Sequence, residues 1–360
     1  MQIVKPRYSR MIGNKEKKRW ATLLSLLMIL LLMGLKNMAQ DIHFSQFFEA
    51  PLLRNPSLAG IFTGDIRVQG VYRDQWKSFT NAYRSGSFNA EYKMPIGKAD
   101  DFITAGLQIL YDKAGSAGLT STYVLPAINY HKSLSSEKVM YLSVGFMGGI
   151  LQKRIDRTKI TTNSQFDGTA YNPALADGET FINPNYTAPD GSFGASFNAS
   201  FGQDQKHSFY LGAAYHHISR PRNSFYLSAA AALNPKYVFS AGVKYFIDDN
   251  TFFTLQADHS AQGSFQETIG GALYSVKMGG GPDNPLYTLH AGAFLRWKDA
   301  MIPVIKIDYN PFAVAISYDV NVSALKTVSQ SRGGFELSVS YVGFLERSNS
   351  SKYKVLCPRF

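Results

Sequence analysis

Apolar and polar residues alternate one by one along most of the chain beyond residue 60. In Ser192–Gly202 every second residue is phenylalanine or alanine, and serine, glycine or asparagine stands between them. Successive side chains of a β-strand point to opposite faces, so each such run has one apolar and one polar face. The clearest runs are Ser87–Met94, Ser192–Gly202, Phe312–Val320 and Phe335–Tyr341.

Weaker runs of the same kind fill the intervals, and most have the length that a tilted transmembrane strand needs. Turn-forming segments such as Asp248–Asn250 and Gly279–Pro282 separate them. The chain is 45% hydrophobic and rich in Tyr and Phe, yet its mean hydropathy is only −0.14. This combination predicts an all-β fold, a transmembrane antiparallel β-barrel over residues 65–344 with lipid outside and polar groups inside. The weaker runs are Ile66–Trp76, Phe102–Tyr111, Leu119–Lys132, Val139–Lys153, His207–Ile218, Ser224–Leu233, Tyr237–Ile247, Thr251–His259, Glu267–Lys277, Tyr287–Trp297 and Met301–Tyr309.

The runs number fifteen, whereas bacterial single-chain barrels have an even number of strands. Met301–Tyr309 is the weakest candidate, because Pro303 and the flanking Pro311 reduce its ability to join a hydrogen-bonded ladder. We therefore expect about 14 strands, with 16 as the alternative.

Residues 1–39 resemble a cleaved signal peptide. Seven basic residues lie between positions 5 and 19, and the apolar run Trp20–Leu35 is too short for a comfortable membrane span. We expect cleavage after Ala39; a retained membrane anchor is the alternative. These 39 residues hold eight basic residues and one acidic residue, so most of the net charge of +11 belongs to them and does not indicate nucleic-acid binding.

Three segments fall outside the strand pattern. Residues 154–190 form a long polar connection, which we expect outside the cell as a solvated loop or a binding loop. Residues 40–64 and 345–360 flank the barrel, and we expect both in the periplasm, where an aromatic-rich segment can fold into the lumen as a plug or dock on a partner.

No motif indicates catalysis, a cofactor or a metal. The chain has no phosphate-binding Gly-Lys-Ser/Thr loop, Gly-x-Ser-x-Gly elbow or Cys-x-x-Cys pair. His216 and His217 are neighbours on a predicted strand, so we expect them to point to opposite faces and not to share an ion. Cys357 is the single cysteine and forms no internal disulfide, although a disulfide to another chain stays open. Trp76, with Arg73 and Gln75, ends the first run, where a tryptophan usually anchors at the membrane interface.

Six segments carry a further signal: QDIHFSQFFEAPLLRNPSLAG from Gln40, VYRDQW, RWKDAMIPV, ISYDVN, GGFELSVSY and the terminal CPRF. They resemble the PorP/SprF family, membrane components of the type IX secretion system of Bacteroidota, and the likeness extends from Gln40 to Phe360. One departure is Phe335-Glu336, where many relatives have His-Glu. The residues that carry the resemblance, and that we take as partner-binding or family-motif candidates, are Asp41, Phe44, Ser45, Gln46, Asn55, Pro56, Arg73, Gln75, Trp76, Tyr318, Asp319, Glu336, Cys357, Pro358, Arg359 and Phe360.

The resemblance implies a bacterial outer-membrane barrel that works without catalysis in protein export. Its partners would be outer-membrane lipid, the periplasmic ring or a peptidoglycan-binding lipoprotein of the secretion system, and an exported surface adhesin of the kind used in gliding. A passive porin for small solutes and an outer-membrane hydrolase are the alternatives that the sequence leaves open.

Overall fold

The computed structural model describes residues 41–75, 83–97, 100–180, 183–202, 204–226, 231–323 and 326–346. Each strand pairs antiparallel with its neighbours in the chain, and β1 also pairs with β14, so the sheet closes into a barrel. Closure matters because a membrane offers no partner for an open strand edge. Within the described residues the strands are β1 (Ile66–Gln75), β2 (Tyr83–Pro95), β3 (Phe102–Ala114), β4 (Leu119–Ser133), β5 (Met140–Arg154), β6 (Asn185–Phe201), β7 (His207–His216), β8 (Lys236–Phe246), β9 (Thr251–Gln262), β10 (Phe265–Gly281), β11 (Asn284–Arg296), β12 (Ala300–Tyr309), β13 (Phe312–Asn321) and β14 (Arg332–Gly343).

The predicted count of 14 is confirmed, but the run that we rejected was the wrong one. Met301–Tyr309 forms most of β12. Its Pro303 is tolerated because the pairing of β12 with β13 passes from Met301 directly to Val304, so no ladder hydrogen bond is required of the missing N–H. The run that is not a strand is Ser224–Leu233, whose described residues contribute only an isolated bridge between Arg222 and Ala232.

The long connection is also shorter than predicted. β6 begins at Asn185, which pairs with Arg154 at the end of β5. The connection is therefore 155–184 and not 154–190. Pro189, Asp190 and Gly191 interrupt the apolar rhythm at the start of β6, and this hid the strand from the sequence pattern.

The two ends of the barrel differ. At one end, which we call the turn end, the connections 247–250, 282–283 and 310–311 are tight, and β1 begins and β14 finishes there. The opposite end, the loop end, carries the connections 155–184, 217–235 and 322–331, the last of which includes the short helix α2 (Lys326–Ser329). No helix in the described residues is long and apolar enough to cross a membrane.

The two faces of the wall follow the predicted alternation. Outward side chains are apolar and exposed, such as Ile305 and Phe239. Inward side chains are mostly polar. They are buried and not solvent-exposed, because the segment before β1 occupies the lumen. It contains the short helix α1 (Pro51–Arg54) between two single-turn 3-10 helices, Phe47–Glu49 and Pro56–Leu58.

We expect Ile305→Lys to destabilise the inserted barrel. Ile305 lies at the centre of β12 and is 59% exposed on the outer face, and a lysine on the lipid face of a barrel costs about 2–4 kcal/mol at the membrane midplane. Urea unfolding in lipid vesicles measures the change, with Ile305→Val as control. Unchanged stability of Ile305→Lys would show that β12 does not face lipid.

Candidate functional site

Residues 41–65, which we call the plug, cross the lumen from one end of the barrel to the other. Asp41 lies at the loop end, beside His217 and Lys236. Asp65 lies at the turn end, where its N–H donates to the carbonyl of Gly343 (2.8 Å). Of the two arrangements that the sequence left open for residues 40–64, the structure has the one inside the lumen; the described part of this segment is not a free periplasmic extension.

Four wall residues from four strands form a buried charge cluster near the loop end: Arg73, Arg296, Asp319 and Glu336. Arg73 Nη2 lies 2.9 Å from Asp319 Oδ2, and its Nε lies 3.3 Å from Glu336 Oε1. Arg296 Nη2 lies 3.0 Å from the same oxygen of Asp319. Two cations thus face two anions, which is how charges persist in a water-poor interior.

The plug is bound to this cluster through its backbone. The N–H groups of Ser45 and Gln46 donate to the two carboxylate oxygens of Glu336, at 2.7 and 2.8 Å. Ser45 Oγ donates to Asp319 Oδ1 (2.6 Å), and Arg73 Nη1 donates to the carbonyl of His43 (2.8 Å). Hydrogen bonds to charged groups are roughly twice as strong as neutral ones. The charge cluster therefore holds residues 43–46 of the plug strongly.

A second attachment lies at mid-barrel, where glycines of the wall leave room for the plug. Asn55 Nδ2 donates to the carbonyls of Ala195 and Ala213, both at 3.2 Å. A Cβ on Gly194 would stand 1.9 Å from Asn55 Oδ1, and one on Gly145 would stand 2.5 Å from the backbone of Pro56. Glycine here permits close approach of two backbones.

Further pairs neutralise Arg54 and Glu49 of the plug. Arg54 Nε donates to Asp258 Oδ2 (2.6 Å), and Arg54 Nη2 donates to the hydroxyl of Tyr210 (2.6 Å). Glu49 accepts from Lys306 Nζ (2.7 Å). Towards the turn end, Glu91 of β2 accepts the N–H of Gly60 (2.7 Å).

Apolar packing fixes the plug against two sectors of the wall. Phe44 and Leu52 lie in a core with wall side chains of β1, β3, β4 and β5, among them Val71 and Leu125. Phe47 packs edge-on against Phe294 of β11, with ring centroids 5.3 Å apart. The plug is therefore anchored by both apolar burial and charge pairing.

The loop-end tip of the plug is held by charges. Burial alone would raise the pKa of Asp41, but Lys236 and His217 bring it well below its usual value. Burial would likewise lower the pKa of His217, yet Asp41 and Asp190 raise it to about 9. His217 is therefore an imidazolium at neutral pH, and its attraction for Asp41 persists until the pH rises through about 9.

His216 and His217 do not point to opposite faces as predicted. β7 ends at His216, and His217 has a left-handed backbone (φ 60°) that turns its ring inward as well. His216 contacts Ser192 and the carbonyl of Arg54, while His217 contacts Asp190 and Asp41. In the described part of the chain no three His, Cys, Asp or Glu side chains are grouped to hold a metal ion.

The structure brings five of the candidate residues into one contact network: Ser45, Gln46, Arg73, Asp319 and Glu336. The other candidates in the plug, Asp41, Phe44, Asn55 and Pro56, contact the wall elsewhere.

The remaining candidates do not join this network. Tyr318 is exposed on the outer face, and Gln75 ends β1 opposite Gly334 and Tyr83. Trp76, Cys357, Pro358, Arg359 and Phe360 lie outside the described residues.

Sequence reasoning missed Arg296, Arg54, Asp258 and the glycines against the plug. The sequence did contain a signal for two of them. Arg296 and Asp258 are charged residues on the inward, polar face of their strands, where a charge needs water or an oppositely charged partner. The site therefore attaches the plug to the wall: the carboxylates and guanidinium groups of the cluster bind one another and the plug.

A family model described as "Type IX secretion system membrane protein PorP/SprF" matches residues 36–341 of this chain. No match was found among curated proteins.

Several solved structures are similar to this chain at low sequence identity. The TodX monoaromatic hydrocarbon channel deltaS2 mutant is 12% identical, with TM-score 0.47, covering 81% of this chain and 93% of its own. A FadL homologue from Pseudomonas aeruginosa is 10% identical (TM-score 0.42; 81% and 94% covered), and BamA from Haemophilus ducreyi is 8% identical (TM-score 0.39; 77% and 70% covered). The barrel assignment itself rests on the closed ring of strand pairings.

We expect Gly194→Ala to displace the plug at mid-barrel. The added methyl overlaps Asn55 Oδ1, and overpacking of this kind costs about 1–3 kcal/mol. Gly70→Ala is the matched control, since a Cβ there meets no atom within 4 Å. Urea unfolding measures both variants.

The same substitution in an Asn55→Ala background isolates the contact. Because Asn55→Ala removes the side chain that the methyl strikes, Gly194→Ala should then have a smaller effect. An equal loss of stability in both backgrounds would place the strain somewhere other than the plug.

Proposed function

Because the chain belongs to the PorP/SprF family of type IX secretion system membrane proteins, we propose that it serves export as a sealed, non-catalytic docking barrel in the bacterial outer membrane. In this role the barrel supports the export or surface retention of a client, such as a large gliding adhesin. Its turn end meets the periplasmic ring or a peptidoglycan-binding lipoprotein.

The observation that carries the proposal is the closed lumen. An open pore would leave its inward polar side chains in water, but here such groups on six strands around the wall are at most 1% exposed. They are Asn89, Gln108, Asn129, Ser143, Asn198 and Ser275. A barrel filled in this way is suited to holding a position in the membrane and offering its ends to partners.

The turn end is the proposed docking face for the periplasmic machinery. Short connections of membrane barrels face the periplasm. The first strand, β1, begins at this end of the barrel, and the last strand, β14, finishes there. The N–H of Leu345 donates to Asp65 Oδ2 (2.9 Å), which fixes the point where the chain leaves β14. Residues 347–360, which follow that point in the chain, include the basic residues Arg347, Lys352, Lys354 and Arg359.

The proposed role includes no catalytic step. The buried carboxylates Asp319 and Glu336 are engaged with arginines and the plug, so they are not available for acid–base chemistry on a substrate.

Deletion of 347–360 should leave a folded barrel and abolish docking. The deletion retains Leu345 and its bond to Asp65, so the wall and plug keep their contacts. Co-purification of the periplasmic partner and secretion of the client are the measurements, and heat-modifiable migration in gels reports folding.

A matched control replaces Arg347, Lys352, Lys354 and Arg359 by glutamine at full length, which separates loss of charge from loss of chain. Normal secretion and partner recovery by the folded deletion variant would refute the docking role of the tail.

Planar-bilayer recording separates this role from that of a passive porin. We expect the purified wild-type protein to show no steady conductance, because the plug fills the lumen along its length, and an open porin reconstituted identically serves as control. Stable, ohmic channels from the plugged protein would favour the porin alternative.

A further inference from the structure

The direction in which the plug crosses the lumen is fixed by its contacts. Asp41 binds three residues at the loop end: its N–H donates to Gln262 Oε1 (3.2 Å), and its carboxylate lies 3.3 Å from His217 Nε2 and 3.4 Å from Lys236 Nζ. Gln262 ends β9, Lys236 begins β8, and His217 follows β7. All three stand at the end that carries the long connections.

The plug reaches the turn end after its short helix. The carbonyl of Arg54, at the end of that helix, still lies 3.1 Å from His216 Nε2 at the loop end of β7. The carbonyls of Ser57 and Ala59 then accept from Asn129 Nδ2 in the last third of β4 (2.7 and 2.9 Å), and Asp65 pairs with Gly343. The plug therefore begins at the loop end and finishes at the turn end.

We propose that the amino terminus of the mature protein is presented at the loop end, on the cell surface. The long connections of membrane barrels face the outside, and Asp41 lies among the residues that border them.

Cysteine labelling on intact cells tests the position. Cys357 is the single native cysteine, so a Cys357→Ser background allows one thiol to be placed at will. A Gly-Gly-Cys-Gly insertion between Gln40 and Asp41 probes the amino terminus, and Gln40→Cys supplies the same thiol without an insertion. Ala174→Cys in the exposed 155–184 connection and Asn250→Cys in the exposed 247–250 turn are the controls for the two ends.

With a membrane-impermeant maleimide, we expect the amino-terminal thiol to react on intact cells as readily as Ala174→Cys, while Asn250→Cys reacts only after the outer membrane is permeabilised. Labelling of the amino-terminal thiol only after permeabilisation, in variants that migrate as folded barrels, would overturn the proposal. The labelling does not depend on secretion, so a failure of this proposal and a failure of the docking role are distinguishable.

Discussion

The fold depends on mutual neutralisation of buried charges on the plug and on the wall. A single ion transferred into a protein interior loses several kcal/mol of solvation, and removing one partner of a buried pair costs about 3–5 kcal/mol. Arg54 of the plug and Asp258 of the wall meet this condition together, as do Glu49 and Lys306. Neither the empty ring of strands nor the free plug would satisfy these groups without water, so both elements reach their final structure together.

The same reasoning applies to the backbone of the plug. Irregular backbone is tolerated at membrane depth only where protein or water supplies its hydrogen-bond partners. Here the wall supplies them: Glu336 accepts two N–H groups, and Asn129 donates to the carbonyls of Ser57 and Ala59. The polar inner wall, which in a porin would face solvent, is used to bind the protein's own chain, and this is what distinguishes the lumen from a solute path.

Filling the lumen leaves the two ends of the barrel as the surfaces for interaction. The turn end holds the last turn of the plug and the start of the tail at Leu345 within one set of hydrogen bonds. The loop end holds the tip of the plug at Asp41 beneath the long connections. One chain segment thus contacts both ends, and between them it is held by the charge cluster around Glu336 and by the close contacts at Asn55.

The sequence by itself determined the barrel, its lipid-facing side, the strand count and the family, because alternation of apolar and polar residues is a local signal that a membrane enforces on every strand. It also identified Ser45, Gln46 and Glu336 as partner-binding or family-motif candidates, but it did not show that they contact one another. Only the tertiary structure decided which weak run is a strand, since Pro303 is tolerated through an interruption in its pairing with β13. It likewise decided that the segment before β1 fills the lumen, because the partners of its polar groups lie up to 291 residues away in the chain and no local pattern records such a pairing.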